Sequence, residues 1–167
     1  MEFKDVVKTR IATRKYKTDN VSHETLLKVL EYGRLAPTAK NIQPQRIIVC
    51  ESEESLKKID VCSPCRYGAR ACFIVCSDKN EAWSKDDYST YEMDACIVAT
   101  HLMLGAVNEG LDTIWIEMFD KGKLKSEFNL DDNIEPICLI MLGYKEDGYT
   151  SINHNNRKEL SETVEFR

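Results

Sequence analysis

The run Ala71-Cys72-Phe73-Ile74-Val75-Cys76 is apolar at every position. A strand with one face in water alternates apolar and polar side chains, so a continuous run of this kind belongs to a sheet covered on both faces. The rest of the chain must supply that cover. Three further strand patterns stand at 46–51, 113–118 and 137–142, the last ended by Gly143, and helical patterns are interleaved with them. This predicts one layered α/β or α+β domain over residues 1–167, helices packed on a sheet, with no repeats, linkers or low-complexity tracts.

Phe3, Val6 and Val7 recur at helical spacing, so a short amphipathic helix should run to about Arg10. Ser22 is a good N-cap with Glu24 in the first turn, and Leu26, Leu27 and Leu30 mark the buried face of a second helix reaching about Leu35. Residues 53–59 read as a modest helix, 61–68 as a loop, 78–86 as a polar connection and 121–128 as a charged helix. The longest helical pattern covers 88–109, with Ala95, Val98, Ala99, Leu102, Met103, Ala106 and Val107 as its stripe and Gly110 just past its end. Its small residues, Ala95, Ala99, Gly105 and Ala106, allow close packing on a partner helix.

Between the second helix and the first strand stands Leu35-Ala36-Pro37-Thr38-Ala39-Lys40-Asn41-Ile42-Gln43-Pro44-Gln45. Two prolines and several amides make it an ordered loop, a frequent carrier of function. Asn41 and Gln43 each offer a donor and an acceptor, which suits the edge of a planar heterocycle. The plain alternative is a helix stop followed by a strand start. Arg10 and Arg14 would share one face if the first helix continued, and their guanidinium forks suit a phosphate. A solvated basic helix end is the plain alternative there.

The formal charge of −5 and the pI near 5.3 disfavour a general nucleic-acid or anionic-membrane binder. No apolar run approaches the roughly 18 residues of a membrane span, and the opening Met-Glu-Phe-Lys-Asp lacks a signal-peptide layout, so a cytoplasmic location is expected. Seven cysteines is an odd number, most of them inside apolar patterns, which suits reduced, buried thiols. Cys62 and Cys65, followed by Cys72 and Cys76, invite a metal reading. Cys72 and Cys76 on one strand would stand about 13 Å apart at ~3.3 Å per residue, too far for zinc–sulfur bonds of about 2.3 Å. A redox pair at Cys62 and Cys65 stays open if the 61–68 loop is exposed.

The wording Ala36-Pro37-Thr38-Ala39-Lys40-Asn41-Ile42-Gln43-Pro44, preceded by Arg10-Ile11-Ala12-Thr13-Arg14-Lys15-Tyr16, resembles the pair of signatures that open the flavin-dependent nitroreductase family. The likeness continues through the 88–109 helix and Trp115-Ile116 to Arg157. It implies an α+β fold, a central and mostly antiparallel sheet flanked by helices, in an intertwined homodimer with FMN between the subunits. By this resemblance Arg10 binds the ribityl phosphate, Arg14 lies nearer the N1 and O2 side of the ring, and Arg157 is a second phosphate contact. Thr38, Asn41 and Gln43 would come from the other subunit, and Pro37 is a further cofactor-binding position. Ile116, Glu117 and Met118 would lie along one face of the isoalloxazine, with backbone groups near N5. Ala12 stands where the family usually has Ser, so that part of the phosphate contact is lost unless Thr13 or the backbone supplies it. Asn155 stands where a basic residue is common, which leaves the phosphate charge to Arg10 and Arg157.

The implied activity is electron transfer from NAD(P)H through FMN to a nitroaromatic, quinone or similar small acceptor. No side chain is expected to do the chemistry itself, because the cofactor carries it. The sequence agrees: it has no Gly-x-Gly-x-x-Gly after a strand, no Gly-x-Ser-x-Gly elbow, and three histidines. Little chain lies between Cys50 and Ala71, or between Gly110 and Pro136, to build a lid, so an open site with broad acceptor range is expected. The alternatives are a flavin protein for storage, sensing or electron relay, and an interaction module built on Cys62 and Cys65.

Overall fold

The computed structural model describes all 167 residues. In chain order they form α1 (Phe3–Thr9), α2 (His23–Arg34), β1 (Gln45–Cys50), α3 (Glu53–Cys62) and β2 (Ala71–Asp78), then a small hairpin of β3 (Ser84–Lys85) and β4 (Tyr88–Ser89). There follow α4 (Tyr91–Asn108), β5 (Asp112–Ile116), α5 (Lys121–Phe128) and β6 (Ile134–Gly143). Four strands make one sheet in the order β1-β2-β6-β5, every pair antiparallel. This is an α+β arrangement, with helices on both faces.

All residues of β2 are buried, as a run apolar at every position requires. Its alternation splits the core in two. Ala71, Phe73 and Val75 join Cys138, Ile140 and Leu142 of β6 against α2 and α4, where Leu26, Val29, Val98 and Leu102 pack. Cys72, Ile74 and Cys76 join Leu139 and Met141 on the other side against Leu56 and Ile59 of α3 and Leu124 of α5. Between Val75 and Cys76 the register with β6 slips, so that Val75 pairs with Cys138 and Cys76 with Pro136, leaving Ile137 unpaired. A proline has no N–H for the ladder, which is why the irregularity falls beside Pro136.

Helix ends follow the expected signals. Ser22 Oγ accepts the Thr25 amide at 3.1 Å, and Asp120 Oδ1 accepts that of Lys123 at 2.9 Å. At the end of α4 the Gly110 amide bonds Val107 O at 3.0 Å and the Leu111 amide bonds Ala106 O at 2.9 Å. These two bonds make a Schellman motif, with Gly110 at φ 81.

Other boundaries moved. The helix expected from residue 88 begins at Tyr91, because the Thr90 amide donates to Trp83 O at 2.9 Å and closes the hairpin first. The strand expected over 113–118 ends at Ile116, and α3 runs on to Cys62, taking two residues from the expected loop. The first helix stops at Thr9, and beyond it the chain turns extended along the edge of β5.

Candidate functional site

Residues 10–14 form an arm rather than a helix. Ala12 bridges Thr113 in the parallel sense, with the Thr13 amide donating to Thr113 O at 3.0 Å. An extended segment alternates its side chains, so Arg10, Ala12 and Arg14 fall on one side and Thr13 on the other. The two arginines share a face as expected, but through strand spacing. Thr13 is fully buried and its hydroxyl has no partner, so it points inward and cannot replace the serine hydroxyl missing at Ala12.

The outward side of the arm faces a cleft of about 460 Å³, whose far wall is the tail from Tyr149 to Arg157. The Tyr149 hydroxyl donates to Ala12 O at 3.0 Å and closes one end. Arg10, Arg14, His154 and Arg157 all line it, and no carboxylate does. None of the three arginines makes an ion pair in a chain that carries a net charge of −5. Burial first, and then the neighbouring Arg157, pull the Arg10 pKa below its usual value. Two guanidinium groups close enough to repel, with no acid between them, are what a bound anion would neutralise.

The amide loop does not reach this cleft: none of Pro37, Thr38, Asn41 and Gln43 lines it. The loop is nonetheless tightly built. Lys40, Asn41 and Gln43 hold φ of 50, 58 and 59, a left-handed conformation uncommon outside glycine. Thr38 Oγ1 accepts the Gln43 amide at 3.0 Å, and Gln43 Nε2 donates to Asn41 O at 3.1 Å. The Ala39 amide donates to Asp94 Oδ1 at 2.8 Å, and Lys40 Nζ lies 5.5 Å from the Trp83 ring centre. Asp94, Lys40 and Trp83 were not picked out by sequence reasoning. An aspartate in the first turn of a helix normally reads as a solvated dipole partner.

Ile116 is buried at the end of β5, and Glu117 accepts from Trp115 Nε1 at 3.1 Å. Neither lines the cleft. Met118 O accepts the Ser63 hydroxyl at 2.7 Å, and that hydroxyl accepts the Cys65 amide at 3.2 Å, so the 63–68 loop is sewn to the end of β5. Cys62 and Cys65 are buried, at 5% and 3% exposure, which removes the accessibility on which a redox pair depended. The Tyr67 hydroxyl faces the Cys65 thiol and, more weakly, the Arg14 guanidinium; the thiol prevails and pushes the phenol's pKa up. Tyr67 itself sits at φ 55. Tyr67, Tyr149 and His154 are further residues around the arm that carry no signal in the sequence, because only the tertiary path of loop and tail brings them there.

The model of the nitroreductase family matches residues 7–62 and 63–144. A nitroreductase family protein from Clostridium difficile 630 is 36% identical, with 99% of this chain and 98% of that one covered at a TM-score of 0.94. A protein of Archaeoglobus fulgidus with the provisional name NADH dehydrogenase/NAD(P)H nitroreductase is 28% identical over 85% of this chain and 84% of its own length. A protein of Exiguobacterium sibiricum 255-15, solved in complex with FMN, shares the fold at a TM-score of 0.87 and 22% identity, covering 100% of this chain and 98% of its own. Matched by the family model over most of its length, and by a solved member along nearly all of it, this chain belongs to the nitroreductase family.

Proposed function

We propose that the protein is an FMN-dependent NAD(P)H oxidoreductase of one domain, acting on nitroaromatic, quinone or similar acceptors. The observation that carries this is the carboxylate-free cleft holding Arg10 and Arg157, which fits the phosphate of FMN in charge. Arg10 and Arg157 bind the phosphate, and Arg14, two positions beyond Ala12 on the same side of the arm, places its charge toward the ring. Ile116 and Glu117, beyond Arg14 along the β5 edge, flank the ring. Held by these residues, a flavin would supply the hydride- and electron-transfer chemistry between nicotinamide and acceptor. The protein's part is to bind, orient and supply charge, as in other sites where a cofactor does the chemistry.

Thr38, Asn41 and Gln43 do not line their own chain's cleft, and this favours a homodimer in which each amide loop completes the partner's site. An apolar groove of about 510 Å³ between α1 and α4, beside Phe3 at 71% exposure, supports the same reading. No helix is long and apolar enough to cross a membrane, in keeping with a cytoplasmic enzyme. The short connections leave the site open to acceptors of varied shape.

The visible absorbance spectrum of the purified protein, with the mass of any chromophore released on denaturation, tests the proposal. A flavin spectrum yielding FMN, and rapid NAD(P)H oxidation once an acceptor is added, is the expected result. A flavin spectrum without that oxidation would favour a storage or relay protein. A colourless protein that fails to take up added FMN would overturn the cofactor assignment.

A further inference from the structure

Residues 150–167 make one hydrogen bond and no ion pair to the rest of the chain. That bond joins His154 Nε2 and Lys8 O at 2.7 Å, across 146 residues of sequence. Every other bond of the tail is internal to it, among them the His154 amide to Ser151 O, the Asn156 amide to Asn153 O, and Arg157 Nη1 to Asn153 O at 3.1 Å and Asn156 O at 2.9 Å. The arginine that faces Arg10 is therefore fixed to a short turned segment, and the segment is fixed to the body by a histidine.

The chemistry of that contact is well defined. A carbonyl oxygen only accepts, so the ring must carry its proton on Nε2. Lys8 lies in the last turn of α1, where carbonyls have no partner within the helix and form the negative end of its dipole. Nδ1 is buried with no partner, so the ring is committed to this one bond. Bringing Arg157 beside Arg10 is repulsive while the cleft holds no anion, and some attachment must oppose that repulsion. The Tyr149 hydroxyl on Ala12 O sets where the tail leaves the body, but it lies eight positions before Arg157.

We infer that His154 is a positioning residue for Arg157: its bond to Lys8 O holds the tail on α1 and sets the second guanidinium opposite Arg10, assembling the site for a phosphate monoester. This rests on the phosphate role proposed above for Arg10 and Arg157. It also gives the tail a device that offsets the neutral Asn155, since one well-placed arginine replaces a second, looser charge.

Fluorescence titration of FMN, whose emission is quenched on binding, tests the inference in wild type, His154→Ala, His154→Gln, Arg157→Ala and the His154→Ala/Arg157→Ala double variant. His154→Ala should weaken FMN binding roughly three- to tenfold, the worth of one hydrogen bond. His154→Gln, whose amide can donate to Lys8 O, should recover most of that loss. In the Arg157→Ala background His154→Ala should cost nothing further, because a positioning residue acts only through what it positions. An equal loss in both backgrounds, or no loss in either, would overturn the inference. Wild type that fails to bind FMN would sink the cofactor proposal instead, and amide hydrogen exchange over 150–157 then decides on the latch alone. Faster exchange in His154→Ala than in wild type supports it, and equal exchange refutes it.

Discussion

Asp94 Oδ1 accepts the Ala39 amide at 2.8 Å while its Oδ2 accepts the Thr90 hydroxyl at the same distance. The carboxylate is only 2% exposed, and it ties three parts together: the amide loop, the first turn of α4, and, through Thr90, whose amide bonds Trp83 O, the hairpin that starts after Trp83. With Lys40, Asn41 and Gln43 all left-handed, the loop needs such an anchor to hold one shape. Asp94→Ala removes the acceptor of the half-buried Ala39 amide and the shorter partner of the Thr90 hydroxyl, and should cost about 2 kcal/mol in urea unfolding. Asp94→Asn keeps an acceptor for Ala39 and should cost less than half as much. Equal losses for the two variants would mean that the anchor is not what the carboxylate provides.

How much of this was legible in the sequence depends on the range of the interaction. Ala71 to Cys76 announced a sheet covered on both faces because burial on two sides leaves a local mark, and Ser22 and Gly110 marked helix ends because capping is local too. The pairing of Arg10 with Arg14 was found for the wrong reason, since four residues bring side chains to one face in a helix and in a strand alike. Asp94 was hidden because an acidic residue in a first helical turn has an ordinary local explanation. His154, Tyr149 and Tyr67 were hidden because each acts across the fold on a backbone carbonyl or a neighbouring side chain, and such contacts leave no spacing to read. The hairpin at Ser84–Ser89 was missed because two-residue strands carry no period.

Arg10 and Arg157 should prove selective for the phosphate. Replacing either with alanine should weaken FMN about ten- to a hundredfold, the range of a hydrogen bond to a charged group, and should leave riboflavin, which lacks the phosphate, unchanged. The FMN affinity of wild type should also fall with salt more steeply than that of either variant. Parallel losses for FMN and riboflavin, measured by the same titration, would place these arginines elsewhere than at the phosphate.

Arg14→Ala should separate binding from reactivity. Its guanidinium lies on the same side of the arm as Arg10 and also acts on Tyr67, while it is Arg10 whose pKa burial and then Arg157 lower. The variant should keep much of its FMN affinity while stopped-flow reduction by nicotinamide slows on the order of tenfold to a hundredfold, the loss expected when one stabilising charge is removed. Reduction at the wild-type rate would show that the Arg14 charge does not act at the ring.

The thiols should be silent in the folded protein. Six of the seven cysteines are buried, and burial is the main cause that lifts the Cys50 and Cys76 thiols to about 12 and Cys138 higher still. A thiol that does not ionise does not attack an aromatic disulfide reagent. At pH 8 only Cys96, which is half-buried, should react before unfolding, and all seven afterwards. Rapid native reaction of two further thiols, mapped to Cys62 and Cys65, would revive the redox pair.

The two glycines where α2 meets α4 should respond differently to the same added methyl. A Cβ on Gly33 would lie 2.5 Å from Leu102 Cδ2, and one on Gly105 would lie 2.5 Å from Tyr32 Cδ2, so each helix seats a large side chain of the other over a glycine. Alanine in a helix interior gains about 1 kcal/mol over glycine, against which overpacking costs about 1–3 kcal/mol. Which term wins depends on whether the neighbour can move. At Gly33 the new methyl meets only the outer atoms of Leu102, which is fully buried between α2 and the sheet and can shift only a little. At Gly105 it would also lie 2.6 Å from Tyr32 Cγ and 2.8 Å from Tyr32 Cβ, and Cβ is fixed to the α2 backbone, so no movement of the ring relieves the clash. Gly33→Ala should therefore destabilise by about 1 kcal/mol in urea unfolding, and Gly105→Ala by more, about 2–3 kcal/mol. If Gly33→Ala were the stabilising change, the helices would not approach as closely as this packing requires.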